Sequence, residues 1–336
     1  IDDGAYSYLN GGIKPSGKWN EFNVAENTVT ISEGGNSSGY VNYMNEAFWC
    51  GAHCYYLYDG PKNSKYLYYA LKSQQERLFR IRSGACMPNI KKSDLGNFII
   101  EYEEDETRQE EVVKVLEKCE LLIEDYNKKL VLLDEAVRAR FVEMFGTIRE
   151  NSHNYPRVTL KEVCHKITDG KHGGCKQEDN SGYYYVGARE IYDGKIHYDT
   201  APQITYDDFS KDYRRCNLEK GDMVIVNTGA TIGKSAIASS HLTEKTLLQK
   251  SVALIKVNSD IIIAEFLRYC YMVNPSMYMV KSASAQPNLL LSKMNSTIVY
   301  LPPIDLQRQF ASFVEEIDKS RLLSNHSLFL IKSIIF

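Results

Sequence analysis

Residues 228–235 read T-G-A-T-I-G-K-S, a glycine-rich run that ends in lysine and serine. These are the residue types that cradle a nucleotide phosphate. A phosphate loop needs four residues between its glycines and a helix behind it, so that backbone amides wrap the phosphate and the lysine reaches it. Here three residues separate Gly229 from Gly233, and the next residues along the chain are β-like, so ATP binding is not expected. Two groups of metal-ligand types occur: Cys50, His53 and Cys54, and then Cys164, His165, His172 and Cys175. Neither has the paired C-x-x-C spacing of a zinc site, so reduced, buried thiols and no metal are expected. No G-x-G-x-x-G fingerprint follows a strand, so no cofactor is expected. L-P-P-I at 301–304 has neither the acid or amide before Pro-Pro nor the aromatic after it that would hold a target amine, and it reads as a hinge. No serine, histidine and acid arrangement stands out. Asp207, Asp208 and Glu244 form no nuclease motif.

The elements that would position functional groups emerge from an internal duplication. S-G-A-C-M-P-N-I-K-K-S-D-L-G-N-F-I-I starts at Ser83, and S-A-S-A-Q-P-N-L-L-L-S-K-M-N-S-T-I-V starts at Ser282. Pro88, Asn89, Ser93 and Ile99 match Pro287, Asn288, Ser292 and Ile298 at an offset of 199. Leu67 and Tyr69 match Leu267 and Tyr269, and Arg108-Gln109 matches Arg308-Gln309, at 200. Upstream, an apolar strand runs twice into Gly-x-(Ser/Thr)-x-Gly: Gly35, Ser37, Gly39, and Gly229, Thr231, Gly233. A β-rich stretch follows each turn, near 55–58 and 252–255. Each half therefore reads as a module of short strands and turns followed by a helix. The second module carries an extra block near 183–220.

Gln109 to Phe145 holds no Gly or Pro. Val112, Leu116, Cys119, Ile123, Tyr126, Leu130, Leu133, Val137 and Met144 recur at spacings of three and four, interrupted at Arg140, which predicts a heptad seam. At 1.5 Å per residue this helix is about 55 Å long. A second helix begins after Pro302-Pro303 with Phe310, Phe313, Ile317, Leu328, Ile331 and Ile335 on its seam; its middle, around Ser320, Ser324, Asn325 and His326, is more polar. A long seam needs a partner, and the expected partner is the other helix of the same chain, antiparallel to it.

The 336 residues are 43% hydrophobic and 25% charged, enough to bury two or three cores. No apolar run reaches membrane-span length and no secretory signal is seen, so a cytoplasmic protein that binds no membrane is expected. The chain starts at Ile1 rather than Met, which reads as a start short of a few residues. Its net charge of −3 is unevenly spread: residues 101–150 carry 15 acidic and 8 basic side chains, and the rest is therefore positive. An acidic rod suits a protein partner; basic modules suit phosphates.

In this order of module, helix, module, helix the chain resembles the specificity (S) subunits of Type I restriction-modification enzymes. The resemblance covers essentially the whole length. It is carried by N-G-G-I-K-P-S-G at 10–17, T-I-S-E-G-G-N-S-S-G-Y-V at 30–41, A-F-W-C-G-A-H-C-Y at 47–55, I-T-D-G-K-H-G-G at 167–174, G-D-M-V-I-V-N-T-G-A-T-I-G at 221–233 and L-P-P-I-D-L-Q-R-Q-F at 301–310. It implies an α+β chain: target-recognition domains at 1–102 and 151–303, separated by spacer helices at 103–150 and 304–336 that pair as an antiparallel coiled coil. It further implies a non-catalytic subunit that binds double-stranded DNA at a bipartite site and docks two DNA adenine methyltransferase (M) subunits. A restriction (R) subunit can join such a complex. Phosphate contacts position and base-edge contacts specify. Candidate DNA-binding residues are Lys14, Ser16, Lys18, Asn36 and Ser37 in the first module. In the second they are Lys171, His172, Arg189, Lys195, Asn227, Thr228, Thr231 and Lys234. Alanine at Lys171 or Lys234 is expected to weaken DNA binding. Two rival readings are an interaction protein that dimerises through its long helix and an enzyme, such as a nuclease, whose site the sequence hides. Obligate dimerisation would favour the first rival and metal-dependent cleavage by the isolated chain the second.

Overall fold

The computed structural model describes residues 3–84, 86–147, 150–277 and 289–335. The chain forms two compact units, residues 1–129 with 323–336, and residues 130–322. In the first, β1 (Tyr6–Leu9), β2 (Gly17–Trp19), β3 (Thr28–Ser32), β4 (Val41–Met44), β5 (Phe48–Cys50) and β6 (Cys54–Tyr56) precede α1 (Ser64–Lys72), α2 (Gln75–Arg80) and α3 (Lys92–Gly96). The long helix α4 spans Glu106–Phe145. Strand β3 lies antiparallel to both β4 and β6, while β1 pairs in parallel with β5. Val29 and Ile31 alternate along β3 and pack with Val41, Leu71 and Leu78 beneath α1 and α2. The Asn63 side chain accepts the Tyr66 N–H at 2.9 Å and starts α1.

The second unit contains β7 (Arg157–Thr159), α5 (Leu160–Val163), β8 (Cys164–Asp169), β9 (Tyr184–Val186), β10 (Ile191–Tyr192), β11 (Lys195–Ile196) and α6 (Tyr206–Cys216). Next come β12 (Met223–Val226), β13 (Ser235–Ile237), β14 (Thr246–Leu248), β15 (Val252–Val257), α7 (Ala264–Val273), α8 (Leu291–Asn295), β16 (Ile298–Tyr300) and α9 (Ile304–Ile335). Its main sheet has the order β13-β12-β15-β8 and is buried on both faces. Met223, Ile225, Ala253 and Ile255 face a core containing Phe141, Phe145, Phe266 and Phe310. Val224, Val226, Val252 and Leu254 face the opposite core with Val186, Ile191, Cys216 and Leu218. The continuous apolar runs of β12 and β15 follow from this two-sided burial.

The duplication is structural. β4-β3-β6 and β13-β12-β15 are the same antiparallel arrangement, and the parallel pair β1·β5 recurs as β9·β14. Helices α1, α3 and α4 recur as α7, α8 and α9. Two expectations shift. The block near 183–220 is not wholly extra, because its start, Tyr184–Val186, is the counterpart of β1; the inserted part lies between β9 and β12. The Arg-Gln match is also displaced. Gln109 and Gln307, not Gln309, are the buried pair, donating from Nε2 to Glu103 O at 2.6 Å and to Pro302 O at 2.9 Å. Pro287 and Asn288 lie outside the described residues.

The helical seams follow the heptad with local corrections. Leu116, Ile123, Tyr126, Leu130, Leu133 and Met144 are half-buried, and Cys119 and Val137 are buried. Val112 is 41% exposed, however, and the half-buried Val113 stands on the inner face instead. Arg140 does not interrupt the seam, because Phe141 carries it on at 2% exposure. On α9, Phe310, Leu328 and Ile335 are buried and Phe313, Ile317 and Ile331 half-buried. Within the second unit the helices run antiparallel: Phe310 meets Phe141 at 5.4 Å between ring centres, and further along α9 Arg321 Nη2 meets Asp134 Oδ1 at 2.6 Å. The polar middle of α9 is therefore part of the packing, with Ser324 at 1% exposure.

Candidate nucleic-acid interface

Both glycine turns close with the same hydrogen bonds. In the first, Ser38 N–H donates to Gly35 O at 3.0 Å, Tyr40 N–H to Ser37 O at 2.8 Å, and Gly39 N–H to Ser32 O at 2.7 Å. In the second, Ile232 N–H donates to Gly229 O at 3.2 Å, Lys234 N–H to Thr231 O at 3.2 Å, and Gly233 N–H to Val226 O at 2.9 Å. Gly39 (φ 80°) and Gly233 (φ 90°) hold left-handed backbone, which excludes most side chains. Two further segments dock on each turn. Glu33 and Asn227 donate their N–H groups to His53 O (2.9 Å) and Ser251 O (3.0 Å). Their carbonyls accept from Ile90 N–H (2.9 Å) and Leu289 N–H (2.7 Å). Three loops thus converge at the end of each central strand, where side chains at the turn tip face solvent.

The predicted residues divide into free and engaged groups. Lys14, Ser16 and Lys18 are exposed on the loop and strand after β1, although the Ser16 N–H is held by Tyr8 O at 2.8 Å. Asn36 is exposed at the first turn tip, while the Ser37 hydroxyl donates inward to Gly11 O. In the second unit Arg189, Lys195 and Lys234 are exposed. Asn227 is buried, and its Oδ1 accepts from the Thr228 hydroxyl at 3.3 Å; Thr231 is half-buried. Lys171 is mostly buried and ion-paired with Asp212 of α6, so its charge is already neutralised within the fold. His172 Nε2 lies 2.7 Å from Asp169, which also binds Arg215. Burial pushes the Asp169 carboxyl up, but His172 and Arg215 outweigh it and hold the group below its ordinary value.

Ile13, Trp19 and Phe22 stand 52%, 37% and 50% exposed beside Lys14 and Lys18, apolar groups suited to thymine methyls or base faces. Their signal, large apolar residues in an otherwise polar loop, was present in the sequence. The phosphate-loop-like run at 228–235 joins two antiparallel strands, β12 and β13, with no helix behind it. The eight cysteines are free thiols, and Cys86 is exposed. Among the described residues no group of three or more His, Cys, Asp or Glu side chains is arranged to hold a metal, and no helix is long and apolar enough to cross a membrane.

Beneath the first turn, Lys72 is 6% exposed, donates to Val41 O at 3.1 Å and lies 3.6 Å from the centre of the Tyr40 ring. Burial lowers its pKa from 10.5 to about 8, with Glu120 opposing. The unfolded chain therefore binds more protons than the folded chain across that window, so stability rises as pH goes from 8 to 10.5. In Lys72→Met this increment disappears. The stability difference, wild type minus variant, should increase by on the order of 2 kcal/mol over the window in urea titrations. A pH-independent difference would refute the buried-ammonium account.

Comparison with known proteins agrees with this doubled architecture. The sequence profile of the Type I restriction modification DNA specificity domain matches residues 1–132 and 153–331. A protein named as a type I specificity subunit in Mycoplasma genitalium is 27% identical over 324 residues, covering 94% of this chain and 81% of the relative. Another from Mycoplasma pneumoniae is 32% identical over 200 residues, 55% of this chain and 52% of that one. The crystal structure of a type I S subunit from M. genitalium matches over 100% of this chain and 87% of its own, with a TM-score of 0.60 and 23% identity. A structure from work on assembly and conformational transition of a type I system matches 93% of this chain and 80% of its own, with a TM-score of 0.53 and 15% identity. This chain belongs to the Type I restriction-modification DNA specificity family. Such a chain is a DNA sequence-specificity subunit, and the reading as an unrelated self-dimerising interaction protein is not favoured.

Proposed function

We propose that each unit reads one half of a bipartite double-stranded DNA site, while methylation and cleavage belong to partner subunits. The observation that carries this reading is the recurrence of one three-loop platform, once per unit, with exposed cations at or near its tips. Domains at 1–102 and 151–303 act as the readers, and the segments 103–150 and 304–336 as spacers. Lys14, Ser16, Lys18, Asn36 and Ser37 belong to the first reader. Arg189, Lys195, Asn227, Thr228, Thr231 and Lys234 belong to the second, with Lys171 and His172 shaping its loop through their carboxylate partners.

Two adenine methyltransferase subunits dock on the spacer helices, and the assembled complex can recruit a restriction subunit. Exposed apolar side chains support docking: Leu121, Leu122 and Phe329 in the first unit, Val131, Leu132 and Leu322 in the second. A subunit of this kind works in the cytoplasm, where the chromosome lies.

Co-expression with the neighbouring methyltransferase gene, followed by genome-wide mapping of methylated adenines, tests the reading. The expected result is a split motif with a constant gap. Exchanging residues 151–303 for those of another specificity subunit should change one half of that motif and leave the other intact. Methylation without a split motif would overturn the proposal.

A further inference from the structure

Between Glu76 and Asp94 the first unit carries five cations, Arg77, Arg80, Arg82, Lys91 and Lys92. Among the described residues no carboxylate lies within 4.0 Å of any of them, whereas Lys62, Lys114 and Lys128 each have a glutamate within that distance. The first and third are fixed in place. Arg77 lies over the Phe98 ring at 5.0 Å and donates to Ile99 O. Arg82 lies over Phe79 at 4.4 Å, donates to Phe79 O at 2.7 Å, and reaches Asn36 O in the glycine turn at 3.4 Å. Arg80, Lys91 and Lys92 are exposed. Lys91 and Lys92 directly follow Ile90, the residue whose N–H docks on Glu33 beside the same turn.

The second unit holds leucines at the places equivalent to Lys91 and Lys92, while the counterparts of Arg80 and Arg82 lie outside the described residues. Leu289 docks on Asn227 as Ile90 docks on Glu33, so Lys91 and Lys92 correspond to Leu290 and Leu291. Lys91 directly precedes α3 and Leu290 directly precedes α8, the latter 57% exposed. This register rests on backbone hydrogen bonds rather than on sequence likeness.

We infer that Arg80, Lys91 and Lys92, beside the fixed Arg77 and Arg82, form a DNA-phosphate clamp in the first reader, whose two lysines are replaced by Leu290 and Leu291 in the second. The inference rests on the proposed function and deepens it. The two readers hold the duplex unequally: the first adds sequence-independent, salt-sensitive affinity beside its base-reading turn. Cations without carboxylate partners release condensed counterions when they meet phosphates, so each such pairing steepens the salt dependence of binding.

The test measures binding of the full chain, in complex with its methyltransferase, to a long random-sequence DNA duplex over a salt series. Arg80→Gln/Lys91→Gln/Lys92→Gln should make the log K against log salt slope shallower by about 0.9 for each phosphate no longer neutralised. The reverse variant at the exposed position, Leu290→Lys, should steepen it by a similar amount. The methylated motif should stay the same in both. An unchanged slope in the triple variant overturns the clamp, as does a changed motif, which would make these residues base readers. If the wild-type complex does not bind the duplex at all, the functional reading itself fails.

Discussion

Replacing Phe141 with alanine is expected to lower the stability of the second unit by about 3–5 kcal/mol. Its ring is 2% exposed and meets Phe145 at 5.1 Å, Phe266 at 5.7 Å and Phe310 at 5.4 Å between ring centres. Those contacts join α4 to α7 and α9 in one core, and three aromatic walls leave little room to collapse around the hole. Phe141→Leu, which refills most of the volume, should recover more than half of the loss. Urea unfolding of the full chain, followed by near-ultraviolet circular dichroism, measures both. A loss below about 1 kcal/mol for the alanine variant would show that the helices are not held together here. Since the proposed docking of methyltransferases uses the outer faces of α4 and α9, the variant should also lose methylation in the cell.

Gly39→Ala should cost about 2–4 kcal/mol and selectively damage the first reader. Two physical terms add. The backbone φ of 80° is left-handed, a region that an alanine enters at a cost of roughly 1–2 kcal/mol. An added Cβ would also stand 2.8 Å from Ile90 Cδ1 and 3.2 Å from the Leu78 carbonyl oxygen. Ile90 is the docked residue of the third loop, so the clash pushes apart the segments that build the platform. At Gly35 in the same turn a Cβ would meet nothing within 4 Å, and Gly35→Ala should cost only the backbone term. Urea titration of the two variants separates packing from conformation, and equal losses would show that the approach to Ile90 does not matter. In the methylation map, Gly39→Ala should degrade recognition of one half of the motif and spare the other.

Much of the architecture was legible from neighbours along the chain. The uninterrupted run from Gln109 to Phe145 and its spacing announced α4, which begins three residues earlier, at Glu106. The glycine turns and the offset matches announced two copies of one module. The limits appear where the deciding interaction is distant. Val112 and Val113 are adjacent and equally apolar, and only the partner surface selects Val113 as the inward one. Gln307 and Gln309 both follow the Pro-Pro hinge, yet only Gln307 can reach the Pro302 and Ile261 carbonyls. Tyr185-Val186 matches Tyr8-Leu9, a tyrosine before a buried aliphatic residue, but two residues are too short a likeness to reveal the parallel pairing, which specifies backbone position rather than side-chain identity.

The candidate interface was less legible for the same reason. Lys171 reads as a free cation in a glycine-rich loop, but Asp212, 41 residues further along the chain, neutralises it. Lys91 and Lys92 read as mere composition, and come to lie beside the glycine turn only because Ile90 docks there. The sequence by itself determined the periodic helices, the strand-turn units and their duplication, since these depend on residue order over a few turns or on copying of the whole unit. Tertiary structure alone decided which cations remain free for phosphate, because a charge is engaged or available according to the carboxylate that folding brings within a few ångströms of it.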